Sequence, residues 1–295
     1  MRKRTGISKI GGLSLVELMV TMVVSMFLMG GVINVYISSK ANDKVRAEVS
    51  EMEENARTAL MVMRDIISHA GYQGISFQPF DEPFYAGAGD IPQTKCRDGT
   101  SDLISNEYIL GKKTQDSVTA KRDTLVAVHI ADNPAIAGTR AGLLVSDCLA
   151  SVIPEQCSSD TSTGLYDASQ SKIYNALYIT TNDGRRALTC MGSRGGAQPL
   201  VENIENMQFL YGVSIGDDLV YRNAEDVTNN AEWGSVVSVQ VGILVRSDKE
   251  VLEEAESRVF LLLDEKITIS ANRRIYKAYT TTIVLPNRLN RGLGT

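Results

Sequence analysis

The sequence predicts an α+β chain: a long N-terminal helix, membrane-spanning in its first half and amphipathic in its second, packed on an antiparallel β-sheet head domain with long loops. Three observations carry this. Residues 18–37 are 20 positions without a charge, the length of apolar helix that crosses a bilayer. Val45, Val49, Met52, Ala56, Leu60, Met63 and Ile67 then recur every three or four residues, one stripe of a continuing amphipathic helix. Strand-like segments follow only after that helix, the arrangement of an α+β fold rather than of alternating βαβ units.

Composition agrees. The chain has 295 residues, 43% hydrophobic and 22% charged, enough to build a core and too polar for a polytopic membrane protein. Arg2, Lys3, Arg4 and Lys9 are the only charges in the first twelve residues; beyond them 26 basic residues face 35 acidic ones, a net of −9. A body of that sign offers no broad basic face for nonspecific nucleic-acid binding, which leaves only a small local patch for such a partner. The positive-inside rule holds the four leading cations in the cytoplasm and places everything after about residue 37 outside the inner membrane.

The N-terminus is not built like a secretory signal. There, small residues at a cleavage site follow a short apolar run of about 7–15 residues. Here Gly11-Gly12 precede the run, and the run is longer. A cut at Gly12 removes the basic leader and keeps the helix. Glu17 stands at the mouth of the span, where a charge is costly and therefore a functional candidate. Two plainer roles are open to it. Ser14 and Glu17 have capping-box spacing, and a carboxylate at a span's edge can snorkel to the interface. Within the span, Thr21, Ser25, Asn34 and Gly30-Gly31 are small or polar positions that let helices approach closely.

Gly11-Gly12-Leu13-Ser14-Leu15-Val16-Glu17-Leu18, behind a basic leader, resembles the type IV prepilin signal. The resemblance implies cleavage after Gly12 by a prepilin peptidase, N-methylation of Leu13, and an assembly charge pair between Glu17 and the new N-terminus of a neighbouring subunit. Leu13 departs from the phenylalanine usual there. Three head segments are similar to PilW-type minor pilins: Leu200 through Val213, Val236 through Ser247, and Arg273-Arg274-Ile275-Tyr276 followed by Thr280-Thr281-Thr282. The implied protein is a minor pilin that helps prime and build a type IV pilus for twitching motility, adhesion or DNA uptake. Its partners would be other minor pilins, the major pilin, the peptidase, the inner-membrane assembly machinery and, before assembly, membrane lipid. It would be a single-pass inner-membrane precursor with a periplasmic head, then part of a pilus at the cell surface. A minor pseudopilin of type II secretion is the alternative within the superfamily, and a membrane-anchored periplasmic enzyme the alternative outside it.

Four segments follow from this: residues 1–12, the leader; 13–37, the transmembrane or filament-core helix; 38–71, its amphipathic half; and 72–295, the head. Ala70-Gly71 is the expected helix stop. In the head, Pro79, Pro83, Pro92, Gly87 and Gly89 mark loops. Strand signals run over 124–131, 173–181, 185–191, 207–213, 237–246 and 276–285, with Asp183-Gly184 as a hairpin turn. Val237, Val239, Val241, Ile243 and Val245 alternate with more polar residues, the pattern of a half-buried strand.

Catalytic and cofactor signals are absent from the sequence: no nucleophile elbow, P-loop, zinc-protease helix or dinucleotide fingerprint occurs. No enzyme activity and no cofactor are expected. His69 suits a helix end and His129 an apolar strand. Asp217 and Asp218, with Glu225 and Asp226 nearby, are weak calcium candidates in an expected loop between strands. Cys96, Cys148, Cys157 and Cys190 would lie in an oxidising compartment; the nearness of Cys148 to Cys157 favours that pair, leaving Cys96 with Cys190.

Overall fold

A computed structural model describes residues 14–73, 83–87, 114–115, 122–132, 146–151, 172–193 and 196–289. Helix α1 (Leu15–Ser68) is unbroken over 54 residues. The chain divides into two compact units, Met1–Ala47 and Glu48–Thr295. In the first unit, every described residue up to Lys44 is exposed. The helix persists through Gly30-Gly31, whose positions have open space around them.

In the second unit, α1 buries Met52, Ala56, Ala59, Met63, Ile66 and Ile67. These recur at helical spacing, so they form a single face that one core can cover. Gly71 ends the helix at φ 74°, a left-handed turn that glycine adopts without a Cβ penalty. Its N–H donates to the Val128 carbonyl at 2.8 Å. Asn287 Nδ2 donates to the Ser68 carbonyl at 3.1 Å, satisfying an orphan acceptor of the last turn.

Two antiparallel sheets share the core with this helix face. The first has the order β1 (Leu125–Ile130), β2 (Lys172–Asn182), β3 (Arg185–Met191), β4 (Ala197–Glu202). The second has the order β10 (Tyr276–Val284), β7 (Val236–Arg246), β5 (Ile204–Ile215), β6 (Asp218–Arg222). Leu125, Leu177 and Leu188 from one sheet and Met207, Phe209, Val241 and Ile243 from the other meet Met52, Met63 and Ile67 in a single cluster. Phe84, Tyr211 and Trp233 pack ring to ring, with centroids 4.8–5.9 Å apart. Asp183-Gly184 turns β2 into β3 with φ 48° and 75°, the doubly left-handed pair of a type I′ hairpin.

A hairpin of β8 (Glu256–Leu262) and β9 (Glu265–Asn272) lies against the outer face of the second sheet. Leu244 of β7 packs with Leu262, Ile267 and Ile269 there. The strand expected to be half-buried is therefore covered on both sides over its second half. Gly242 admits the hairpin: a Cβ there would lie 3.0–3.2 Å from the Leu262 and Leu263 side chains.

Buried polar groups fasten these layers. Asp123 accepts from the Phe209 N–H at 2.9 Å, and its own N–H donates to the Met207 carbonyl at 3.0 Å, tying the entry to β1 onto β5. Glu48 lies outside the apolar stripe read from Val45, Val49 and Met52, yet it is only 4% exposed. Its carboxylate accepts from the Lys249 backbone N–H at 3.0 Å and from Lys249 Nζ at 3.3 Å. A long-range partner, invisible to periodicity, brings this charge inside.

The disulfide expectation is overturned. Cys148 is bonded to Cys190, with Cα atoms 6.5 Å apart across a sequence separation of 42. This excludes both Cys148–Cys157 and Cys96–Cys190; Cys96 and Cys157 lie outside the described residues. The physical reason is sheet packing. Cys190 is fully buried on β3, and the Cys148 N–H donates to Asn175 Oδ1 of the neighbouring strand at 2.7 Å, so the loop is already held against that sheet.

Peptide mapping under non-reducing conditions is expected to recover a Cys148–Cys190 cross-linked pair, and a Cys148–Cys157 peptide would refute the fold at this point. Closing a loop of 42 residues is worth about 4 kcal/mol by chain entropy. Glu48→Ala is expected to lower unfolding stability by about 2 kcal/mol in urea titration, because a buried N–H loses a charged acceptor. Lys249→Ala keeps that N–H and is expected to cost much less.

Candidate functional site

Residues 15–37 include Leu15, Met22, Phe27 and Val35, each more than 70% exposed. The best 18-residue window of α1 has a mean hydropathy of 2.1, with none of it buried within the chain. A helix this long and apolar fits membrane anchoring. Left in water, each large apolar side chain would forgo about 1.5–3 kcal/mol. Within the segment, Thr21 Oγ1 donates back to the Leu18 carbonyl of its own helix at 2.9 Å.

The charged start of this helix is the candidate site. Ser14 precedes the first helical turn, and its carbonyl accepts from the Leu18 N–H at 3.1 Å. Glu17 Oε2 accepts from the Ser14 N–H, also at 3.1 Å. That is the backward half of a capping box, with a carboxylate in the first turn where the helix dipole favours it. The capping role is therefore real. Gly12 and Leu13 themselves lie outside the described residues.

The other candidates do not assemble into a site. Gly216-Asp217 form the two-residue connection between β5 and β6, and Asp218 begins β6. The expected loop is thus a tight hairpin, and Glu225 and Asp226 belong to the short helix Ala224–Asn229 that follows. Among the described residues, no group of three or more His, Cys, Asp or Glu side chains is placed to hold a metal ion. Asp226 is engaged locally, its N–H bonded to the Asn223 side chain at 2.8 Å.

His129 points into the core from β1, 6.5 Å from the His69 ring. Neither of its ring nitrogens has a hydrogen-bond partner among the described residues. Burial first, and the nearby His69 second, push its pKa down to about 3. It is a neutral core residue and not an acid or base for chemistry at neutral pH.

Sequence reasoning missed a constellation at the junction of the two sheets. A bulge in β5 between Ile204 and Asn206 leaves Glu205 unpaired in the ladder, which re-aims its side chain. Glu205 is buried and makes ion pairs with Arg186 of β3 and, at 3.7 Å, Arg246 of β7. The Arg185-Arg186 pair and the strand ending in Arg246 were legible, but their meeting at one carboxylate was not.

Comparison with known proteins bears on this head. Residues 167–287 match the family model described as Type IV Pilus-assembly protein W. The match runs from β2 to the short helix Pro286–Leu289. It takes in the bulged strand, Arg246 and the β8–β9 hairpin, and it supports a role connected with pili. No curated protein matches the chain. Among solved structures, a type IV-like pilin from Thermus thermophilus aligns with a TM-score of 0.35 and 10% identity, covering 81% of this chain and 96% of that one.

His129 sets a pH dependence. Its folded pKa lies below the ordinary 6.5, so below that pH the unfolded chain binds a proton that the folded chain refuses. Stability is full above about pH 6.5 and falls as the pH drops toward 3. Thermal unfolding scans are expected to show this loss, and a shallower slope in His129→Leu. An unchanged slope in that variant would assign the acid sensitivity elsewhere.

Proposed function

We propose that the chain is a minor pilin: a structural subunit made as a single-pass inner-membrane precursor, cut after Gly12, methylated at Leu13, and incorporated into a type IV pilus at the cell surface. The observation that carries this reading is the wholly unburied apolar segment with Glu17 held in its first turn. The pilus-assembly family match over the head supports it. The work is noncovalent and the chain is a substrate of the peptidase, not itself an enzyme.

The energetics of assembly follow from the segment's chemistry. Lipid tails are as apolar as the helices that replace them, so transfer from bilayer to filament gains little from hydrophobicity alone. Close packing at small positions such as Gly30-Gly31, and one charge pair in a medium of low dielectric, must supply the preference. Removal of the leader creates an ammonium at Leu13. Glu17 then has a cation to bind on a neighbouring subunit, in exchange for its hydrogen bond to Ser14. The partners are the other minor pilins, the major pilin and the inner-membrane assembly machinery, with the head outside the inner membrane. Twitching, adhesion or DNA uptake is the output.

Mass spectrometry of the mature protein is expected to find a chain beginning at methylated Leu13; an uncut Met1 form in cells with active peptidase would overturn the assignment. Glu17→Ala is expected to be processed normally yet be depleted at least about tenfold from sheared filaments, the loss corresponding to one low-dielectric charge pair. Normal incorporation would remove Glu17 from assembly. A deletion that abolishes protein secretion and leaves pili intact would move the chain to a secretion pseudopilus.

A further inference from the structure

The second sheet has two edges of different character. One is β10, which carries Lys277; its Nζ pairs with Glu53 of α1 at 3.0 Å. A lysine on an edge strand discourages a further strand from docking. The other edge is β6. Among the described residues it has β5 on one side and no strand on the other. It runs Asp218-Leu219-Val220-Tyr221-Arg222, with no lysine, proline or bulge. Leu219 is 51% exposed, and Val220 and Tyr221 are 39% exposed each. An exposed apolar edge of this kind is a template for another strand.

The hairpin fixes which groups the edge offers. Gly216 has φ 62°, and glycine at the first central position marks a two-residue type II′ turn. Such a turn makes Ile215 and Asp218 a hydrogen-bonded pair, and the alternation continues through Val213–Val220 and Tyr211–Arg222. Asp218, Val220 and Arg222 therefore turn their backbone groups to β5. The N–H and C=O groups of Leu219 and Tyr221 point away from it, along the free edge.

These five residues are complementary to themselves. Set antiparallel about Val220, Leu219 stands opposite Tyr221 of a second copy, and each such pair exchanges two backbone hydrogen bonds. Val220 meets Val220 on the two-fold axis, and Asp218 meets Arg222 at both ends. Those are non-hydrogen-bonded pairs, in which side chains approach most closely, so each end carries a favourable opposite-charge pair. Arg222 already holds Glu232 of its own chain at 3.3 Å, and a guanidinium with five donors serves two carboxylates. Leu219 and Tyr221 share a face with Gly212, where a Cβ would lie 3.2 Å from each. Across the axis the four side chains form one apolar patch. A shifted register or a parallel pairing loses both charge matches.

We propose that β6 pairs with β6 of a second copy of this chain across a two-fold axis, joining two four-stranded sheets into one continuous sheet. The contact is isologous. It is also short, so the dimer is weak and reversible, in the class that buries less than about 1,200 Å². The edge belongs to the head, and the inference stands whether or not the N-terminal helix is processed at Gly12.

The test uses the full-length chain in vesicles of zwitterionic lipid, carrying Val220→Cys or, on the opposite edge, Thr280→Cys at an exposed position of β10. A non-hydrogen-bonded pair brings its Cβ atoms to about 4.5–5.5 Å, close to disulfide reach. Mild oxidation is expected to join Val220→Cys chains into covalent dimers at least about tenfold faster than Thr280→Cys or the unsubstituted chain. Peptide mapping is expected to find position 220 joined to position 220. Adding Asp218→Arg, at an exposed residue, sets like charges opposite each other at both ends. It is expected to slow the cross-link at least about tenfold, with an unchanged melting temperature. Association through the apolar helix would cross-link Thr280→Cys as fast and ignore Asp218→Arg, and either result would overturn the proposal. So would a Val220→Cys product in cells that joins position 220 to a different protein and not to itself.

Discussion

Apolar surface without a partner is the constraint on which the rest depends. From Leu15 to Ile37 the helix offers large side chains on every face, and nothing within the first unit covers them. A helix apolar all round is stable only inside lipid or inside a bundle of other helices. Those two environments are nearly equivalent for its aliphatic side chains. Small differences then decide between them, and the carboxylate of Glu17 at the helix start is the one proposed above to do so. Its present partner is a single backbone N–H, a bond that a full positive charge can replace at a gain when water is scarce.

The same helix changes role at Glu48. Beyond it, one face is apolar and the others charged, and that face supplies part of the common core of two sheets. Interior polar groups then act as fasteners rather than as chemistry. Glu48 holds the chain after β7, Asp123 holds the edge of β5, and the Cys148–Cys190 bond holds a loop to β3. Each is long-range in sequence, and each constrains parts of the chain whose own secondary-structure signals are weak. Glu205 belongs with them as a structural ion-pair centre.

Much of this was readable locally. The apolar span, the helix stop at Gly71, the Asp183-Gly184 hairpin and the strands from β1 to β3, β5, β7 and β10 all announce themselves through spacing within about ten residues. Four strands did not. β4 carries Pro199, tolerated where the ladder needs no N–H from it but a mark against a strand in sequence. β6 is five residues long and largely exposed. β8 and β9 mix charges with single apolar residues, because the hairpin buries only the few side chains that touch Leu244.

By itself, the sequence determined what depends on near neighbours: a membrane-length helix with a carboxylate in its first turn, the amphipathic stripe that follows, and the strand periods of a β-rich head. The hydrogen bond from Ser14 to Glu17 spans three residues and was legible for that reason. Only the tertiary structure decided the rest: which cysteines pair, that Glu48 lies inside, that β7 is covered on both faces, and that Arg186 and Arg246 converge on Glu205. These rest on contacts between segments far apart in the chain, set by the packing of two sheets and a hairpin, and no local period records them.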